Sequence, residues 1–238
     1  MSNKLVLSFS GGADSTVLLY MAAAQGIEEI HTLTFDYGQR HIREIACVRD
    51  QMKNVTAKYG CKVFNRVLDV SYIKAISPTS SLTNLDINNP KIAEIAGDDQ
   101  PVSYVPFRNQ MFLSICCAYA ESLKVPLVWY GAAQVDSLAG YWDGSQEFLN
   151  SVNALVSLNR ANRINIEAPL LTMSKSAIVA QGVRLGVDFS KTWTCYSNET
   201  SGLADASTPS SSLRLRGFIE AGYKDPIQYI QQDAINRL

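Results

Sequence analysis

The run Ser10-Gly11-Gly12-Ala13-Asp14-Ser15 constrains this chain more than any other stretch. Ahead of it, Lys4-Leu5-Val6-Leu7-Ser8-Phe9 is a short, mostly apolar strand, and behind it Thr16-Val17-Leu18-Leu19-Tyr20-Met21 is the apolar start of a helix. A strand, a glycine turn and a helix start therefore follow one another. Two adjacent glycines open backbone conformations closed to residues with a Cβ, so successive N–H groups can converge on one point. The helix that begins near Asp14 adds unpaired N–H groups and the positive end of its dipole, and Ser10 and Ser15 add hydroxyl donors. Such a point suits a phosphate. The run lacks both the Gly-Lys-Ser/Thr of a Walker loop and the G-x-G-x-x-G of a dinucleotide fold. The plainer alternative is a turn in which Asp14 or Ser15 merely caps a helix.

Further along, Gly26 ends the first helix, 29–35 is a second strand, 44–59 is helical and closed by Gly60, and 62–68 is a third strand. Strands separated by helices of this length need parallel crossovers. The expected fold is thus α/β, a doubly wound, mostly parallel sheet with ligands at the carboxyl ends of its strands, where the Ser10 loop lies. Residues 71–101 are irregular and rich in Ser, Asn, Asp and Pro, as in a lid or an interface segment. A helix over 109–124, a strand over 128–130, an amphipathic stretch over 147–158 and a strand over 165–168 follow. Ser174 caps a helix that Gly186 ends, 213–221 is helical and closed by Gly222, and 229–238 is a last helix. Residues 1–190 form the nucleotide-binding domain, and 191–238 are a small C-terminal helical tail of the same globular unit.

The 238 residues, 47% of them hydrophobic, suit one α/β domain with an ample core. A net charge of −1 argues against direct nucleic-acid binding and against a membrane surface as main partner. No charged leader precedes an apolar stretch and no apolar run reaches membrane-spanning length, so the expected location is the cytoplasm. The cysteines, Cys47, Cys61, Cys116, Cys117 and Cys195, contain no Cys-x-x-Cys and suit reduced thiols, with Cys116 and Cys117 as core residues. With His31 and His41 as the only histidines, a structural zinc site is hard to assemble.

The Ser10 loop resembles the pyrophosphate loop of the ATP pyrophosphatases, which cleave ATP between the α and β phosphates and activate an acyl or carbonyl group as an adenylate. Five further patches resemble the 7-cyano-7-deazaguanine synthase family. They are Phe35-Asp36-Tyr37-Gly38-Gln39-Arg40-His41, Tyr104-Val105-Pro106-Phe107-Arg108-Asn109, Gly131 with Asp136 and Gly140-Tyr141-Trp142-Asp143, Pro169-Leu170 with Lys175, and Thr194-Cys195-Tyr196. The resemblance implies an adenine-nucleotide alpha-hydrolase-like, Rossmann-like fold, ATP and Mg2+ as cofactors, and 7-carboxy-7-deazaguanine as substrate. It implies nucleotide contacts at Ser8, Ser10, Gly11, Gly12, Asp14, Ser15, Phe35, Arg40 and Gly131. Substrate contacts fall on Tyr104, Arg108, Asn109, Asp136, Tyr141 and Asp143, and catalysis on Asp14, Arg108 and Lys175, with Asp14 also meeting magnesium.

Each residue type suits its role. Arg108 is a fixed fork of donors for phosphate or carboxylate, and Asn109 is expected to cap the next helix. Asp136 and Asp143 can accept from the N–H edge of a guanine-like base while Tyr141 or Trp142 stacks on its face. Lys175 neutralises charge on the phosphates as the acyl adenylate forms. Against these stand the ordinary readings of a surface ion pair, solvated loop carboxylates and a helix-surface lysine. His41 matches a family histidine, and a lone loop histidine is as often inert.

The resemblance breaks in the tail. The family holds zinc with Cys195 and three later cysteines; here those three positions fall on Asp205, Thr208 and Ser211. No zinc is therefore expected. The small residues Gly202, Ala204, Ala206, Ser207 and Ser210 then suggest an opening at that edge. That tilts the expected acceptor toward a protein N-terminal amine, supplied by a protein of the same operon, as in nucleobase–protein conjugation in antiviral defence. Ammonia, giving 7-cyano-7-deazaguanine, is the alternative. A pyrophosphate-loop amidase or tRNA-modifying enzyme with another substrate is a further one, and a nucleotide-binding module without catalysis is the last. A homodimer is expected.

Overall fold

Strand β1 (Lys4–Ser8) sets the layers by simple alternation. Leu5 and Leu7 belong to one core cluster and Val6 to another, so the sheet is covered on both faces. The computed structural model describes residues 3–38, 42–84, 86–87, 101–134, 140–195 and 202–230, with the backbone alone at 42 and 43. Its sheet has five strands in the order β3-β2-β1-β4-β5, and every pairing is parallel. The other strands are β2 (Glu29–Asp36), β3 (Lys62–Asp69), β4 (Leu127–Trp129) and β5 (Asn165–Glu167).

Helices fill the crossovers, as parallel pairing requires. They are α1 (Ala13–Ala24), α2 (Ile42–Tyr59), the short α3 (Ile73–Ile76), α4 (Arg108–Leu123), α5 (Gln146–Val156), α6 (Lys175–Leu185) and α7 (Pro209–Glu220). Residues of α1, α2, α6 and α7 share the cluster of Leu5 and Leu7, while those of α4 and α5 share the cluster of Val6. The chain winds outward from β1 to β3, then returns to place β4 on the other side of β1. Neighbouring connections thus diverge at the carboxyl ends of β1 and β4, which opens a crevice there.

Most expected elements form within a residue or two of their expected bounds. Ser174 accepts a hydrogen bond from the Ala177 N–H and Gly186 closes α6 in the left-handed region, as its sequence signals required. Asn109 is a correction: α4 starts at Arg108, and the capping position is Phe107 at φ 54°, with no side-chain cap. A bulky side chain held at positive φ is strained by about 1–3 kcal/mol. The last described helix begins at Pro209 rather than at 213, because proline fits the first turn. Of the irregular 71–101 segment, the described part includes α3 and a buried Ser80-Ser81-Leu82 run, tied down by Ser81 N–H donating to the Val102 carbonyl (3.0 Å). Its remainder, and the helix expected at 229–238 beyond Ile230, lie outside the described residues.

The tail is held by a buried ion pair. Arg214 is fully buried and its guanidinium forks onto Asp225 (2.7 and 3.0 Å). Its other N–H groups donate to Thr192 Oγ1 (2.8 Å) and to the Phe189 carbonyl (3.0 Å), and the Tyr229 hydroxyl donates to Asp225 (2.7 Å). Around it, Cys195, Ala204, Leu215 and Tyr229 form a small core of their own, while Phe218 of α7 joins the main one. The positions aligned with zinc cysteines do gather here: the Asp205 N–H donates to Cys195 Sγ (3.2 Å), Thr208 Oγ1 lies 4.0 Å from that sulfur, and Thr208 donates to the Ser211 hydroxyl (2.9 Å). Of the small residues at the expected opening, Ala204 is buried, Gly202, Ala206 and Ser210 are half-buried and Ser207 is exposed.

Candidate active site

The glycine loop leaves β1 directly beneath the crevice. Gly11 adopts φ 87°, and a Cβ there would sit 2.2 Å from the Glu44 carbonyl, so the first turn of α2 can lie against the loop only because the residue is glycine. Gly12 precedes α1 at the capping position without a side-chain cap, which excludes the plain reading in which Asp14 or Ser15 caps this helix. The Ser10 hydroxyl instead accepts from the Gly12 N–H (3.1 Å) and meets Ser15 Oγ (3.1 Å), bracing the loop from within.

Above the loop is a cavity of about 350 Å3. Of the residues expected at the nucleotide, Ser8, Ser10, Gly12, Asp14, Ser15, Phe35 and Gly131 line it. So do Tyr104, Arg108, Asn109, Tyr141, Asp143 and Lys175. Gly11 turns toward α2 instead and shapes the loop without lining the cavity. Arg40, His41 and Asp136 lie outside the described residues. Four helices, α1, α4, α6 and α7, present their first residues to this space: Ala13, Arg108, Lys175 and Pro209. Helix N-termini carry partial positive charge and free N–H groups, so their convergence suits a polyanion.

Two groups of charged side chains on the cavity wall differ in chemistry. At the loop, Lys175 Nζ donates to both oxygens of Asp14 (2.6 Å each), with the lysine 11% and the aspartate side chain 29% exposed. Lys175 reaches there past Gly217 of α7, where a Cβ would come within 2.5 Å of the lysine Cγ. Elsewhere on the wall, Arg108 donates to the Tyr37 hydroxyl (3.1 Å) and lies over its ring. Asp143 is buried, and that burial pushes its carboxyl above the usual range although the Arg108 charge pulls it down. An aromatic wall stands beside it: Tyr104 accepts from the Trp142 indole (2.7 Å) and the Phe107 N–H (3.1 Å), and the Tyr141 hydroxyl meets Ser103 (2.6 Å). Phe35 stacks on Phe112 at 4.0 Å.

Sequence reasoning missed Glu44, a buried carboxyl on the cavity wall. Burial above all, then the Asp14 charge, pushes its pKa up to about 8 against the pull of Arg108, Lys175 and Arg214. Its only local signal was its place in the first turn of α2, just past the Phe35–His41 patch. Tyr37 stood inside that patch without an assigned role. Both are marked by tertiary contacts that spacing does not reveal.

A parallel doubly wound sheet whose first strand runs into a serine- and glycine-built anion loop, with a lysine returned onto that loop from a later helix, defines the pyrophosphate-loop class of adenine-nucleotide alpha-hydrolase-like enzymes. Within that class the chain belongs to the family described as queuosine biosynthesis protein QueC, whose model matches residues 4–222. It is 41% identical to the 7-cyano-7-deazaguanine synthase of Clostridium kluyveri, covering 95% of this chain and 97% of that protein. It is 36% identical to the enzyme of the same name from Thermoplasma volcanium, covering 96% and 92%. Among solved structures, the NMN synthetase of Francisella tularensis shares the fold, with a TM-score of 0.52 and 13% identity over 99% of this chain and 82% of that one. The chain is an ATP-dependent, ligase-type enzyme of this family.

Proposed function

We propose that the enzyme adenylates 7-carboxy-7-deazaguanine with ATP and lets ammonia take the acyl group, forming the amide and, after a second activation and dehydration, 7-cyano-7-deazaguanine. The observation that carries this is one cavity lined both by the loop with Lys175 and by Arg108 and Asp143, in a chain 41% identical to a 7-cyano-7-deazaguanine synthase. On this reading the loop N–H groups and Lys175 take the phosphates, while Ser8, Phe35 and Gly131 flank the nucleoside. Arg108 holds the substrate carboxylate against the α-phosphorus, Asp143 accepts from the N–H edge of the base, and Tyr141 covers its face. Arg40 and Asp136 extend these two contact sets. Magnesium supplies charge neutralisation on the polyphosphate. Both oxygens of Asp14 sit on Lys175 and no three metal-ligating side chains cluster among the described residues, so we assign its protein contact to Asp14 through coordinated water, as suits a largely hydrated ion.

The acceptor shifts from the initial leaning. The relatives are named for 7-cyano-7-deazaguanine itself, which supports ammonia over a protein amine in antiviral defence. No described helix is long and apolar enough to cross a membrane, and a small-molecule enzyme fits the cytoplasm. The homodimer has a candidate seam at edge strand β3, where Phe64 and Val67 are about half exposed. The experiment supplies ATP, magnesium and 7-carboxy-7-deazaguanine, with ammonium in one reaction and candidate proteins of the same operon in another, and follows nitrile and acylated protein by mass spectrometry. An acylated protein without nitrile would restore the protein amine, and no turnover of this carboxylate would remove the substrate.

A further inference from the structure

Three carboxyls face the cavity, Asp14, Glu44 and Asp143, and they are differently placed. Asp14 is neutralised by Lys175. Asp143 stands with the aromatic wall near Arg108. Glu44 is set against the loop itself: its Oε1 lies 2.8 Å from where a Cβ on Gly12 would be, so only a glycine lets it approach. Among the described residues no cation pairs with it. A carboxylate here would repel the phosphates that the surrounding donors are arranged to attract.

We propose that Glu44 serves as a neutral carboxylic acid, donating a hydrogen bond to the polyphosphate on the loop and giving that proton to pyrophosphate as it departs. This rests on the adenylation reading above. As the substrate carboxylate oxygen bonds to the α-phosphorus, the bond from that phosphorus to the oxygen bridging to the β-phosphate breaks. The electron pair stays on that oxygen, which takes the Glu44 proton. Glu44 is then a carboxylate. When ammonia adds to the acyl carbon and the bond to AMP breaks with its electron pair, the nitrogen gives up one proton and Glu44 takes it back. The cycle returns the residue to its starting state.

Its environment favours that starting state. Burial raises the pKa to about 8, with Asp14 of α1 adding to the rise and Arg108 of α4, Lys175 of α6 and Arg214 of α7 opposing it; Tyr37 after β2 also faces the group and is itself shifted above its ordinary value. A bound polyanion raises the Glu44 pKa further, because like charge nearby disfavours ionisation. The neutral acid is therefore the form that meets ATP at neutral pH, and alkali removes it.

The test measures binding of α,β-methylene ATP, with magnesium, by calorimetry from pH 7.5 to 9.5, and single-turnover pyrophosphate release, in the wild type and in Glu44→Gln. Wild-type affinity is expected to fall as pH rises past Glu44 ionisation. Glu44→Gln stays neutral and keeps a donor, so its affinity at pH 7.5 should be close to wild type and should not fall with pH, while its pyrophosphate release slows by about 10²-fold for want of a proton to transfer. Flat wild-type affinity over this range overturns the proposal even if the variant folds poorly, and so does a variant that keeps the wild-type rate. Analogue binding needs no deazaguanine. Binding without turnover of 7-carboxy-7-deazaguanine would therefore remove the substrate reading and leave the Glu44 result standing, whereas no wild-type binding would overturn both.

Discussion

The phosphate loop and the C-terminal tail face the same cavity and are built on opposite principles. In the loop, neighbours in sequence do the work: Ser10, Gly12 and Ser15 bond to one another within a few residues, and Gly11 takes a conformation that its lack of a Cβ permits. In the tail, residues far apart in the chain meet on one guanidinium, with Thr192, Phe189 and Asp225 all bonded to Arg214. Damage to the loop should cost chemistry and leave stability, because its groups are poised for a ligand. Damage to the tail should cost stability first, because its charges are buried and already spoken for.

The largest expected effect is in the tail. Arg214→Leu leaves Asp225 buried without its partner and should destabilise the protein by about 3–5 kcal/mol. Adding Asp225→Leu should recover much of that loss, since no orphan charge then remains. Melting curves of the single variant that match the wild type would break the contrast. Next comes the loop, where Asp14→Ala should lower carboxylate-dependent pyrophosphate release by about 10²–10³-fold with a melting temperature near wild type. Normal turnover would sink the assignment of this part of the cavity wall.

Gly217→Ala joins the two regions and sharpens the comparison. The new Cβ would press within 2.5 Å of Lys175 Cγ, so it should cost about 1–3 kcal/mol of stability and also misplace the lysine at the loop. A stability loss with full pyrophosphate release would show that the loop tolerates shifts of α7. The smallest effect is expected from a chelator, which should leave the melting curve unchanged, with no stoichiometric zinc in the purified protein. One tightly held zinc per chain would mean that the Cys195, Thr208 and Ser211 cluster is a metal site after all.

What was legible in advance follows from how local each signal was. The strand–loop–helix start, the parallel crossovers, the cap at Ser174 and the stop at Gly186 are short-range rules of backbone geometry, and each formed where expected. Asn109 failed as a cap because the strained Phe107 turns the chain one residue earlier, and nothing in its neighbours signals that. Counting from the end of the family pattern did place Asp205 and Thr208 beside Cys195, with Ser211 bonded to Thr208, yet it gave no hint of the buried ion pair that ties the tail down, since Arg214 and Asp225 look like ordinary surface charges until both are buried.

The amino-acid sequence by itself determined the order of the elements and the phosphate-type loop, because alternation, glycine and capping act between residues close in the chain. Only the tertiary structure decided which carboxyl stays neutral, which arginine becomes a buried strut and where the tail closes. Those properties depend on desolvation and on charges brought together from separate helices, and Glu44 acquires its shifted proton affinity from burial and from Asp14, Arg108, Lys175 and Arg214, groups that meet it only once the sheet has wound.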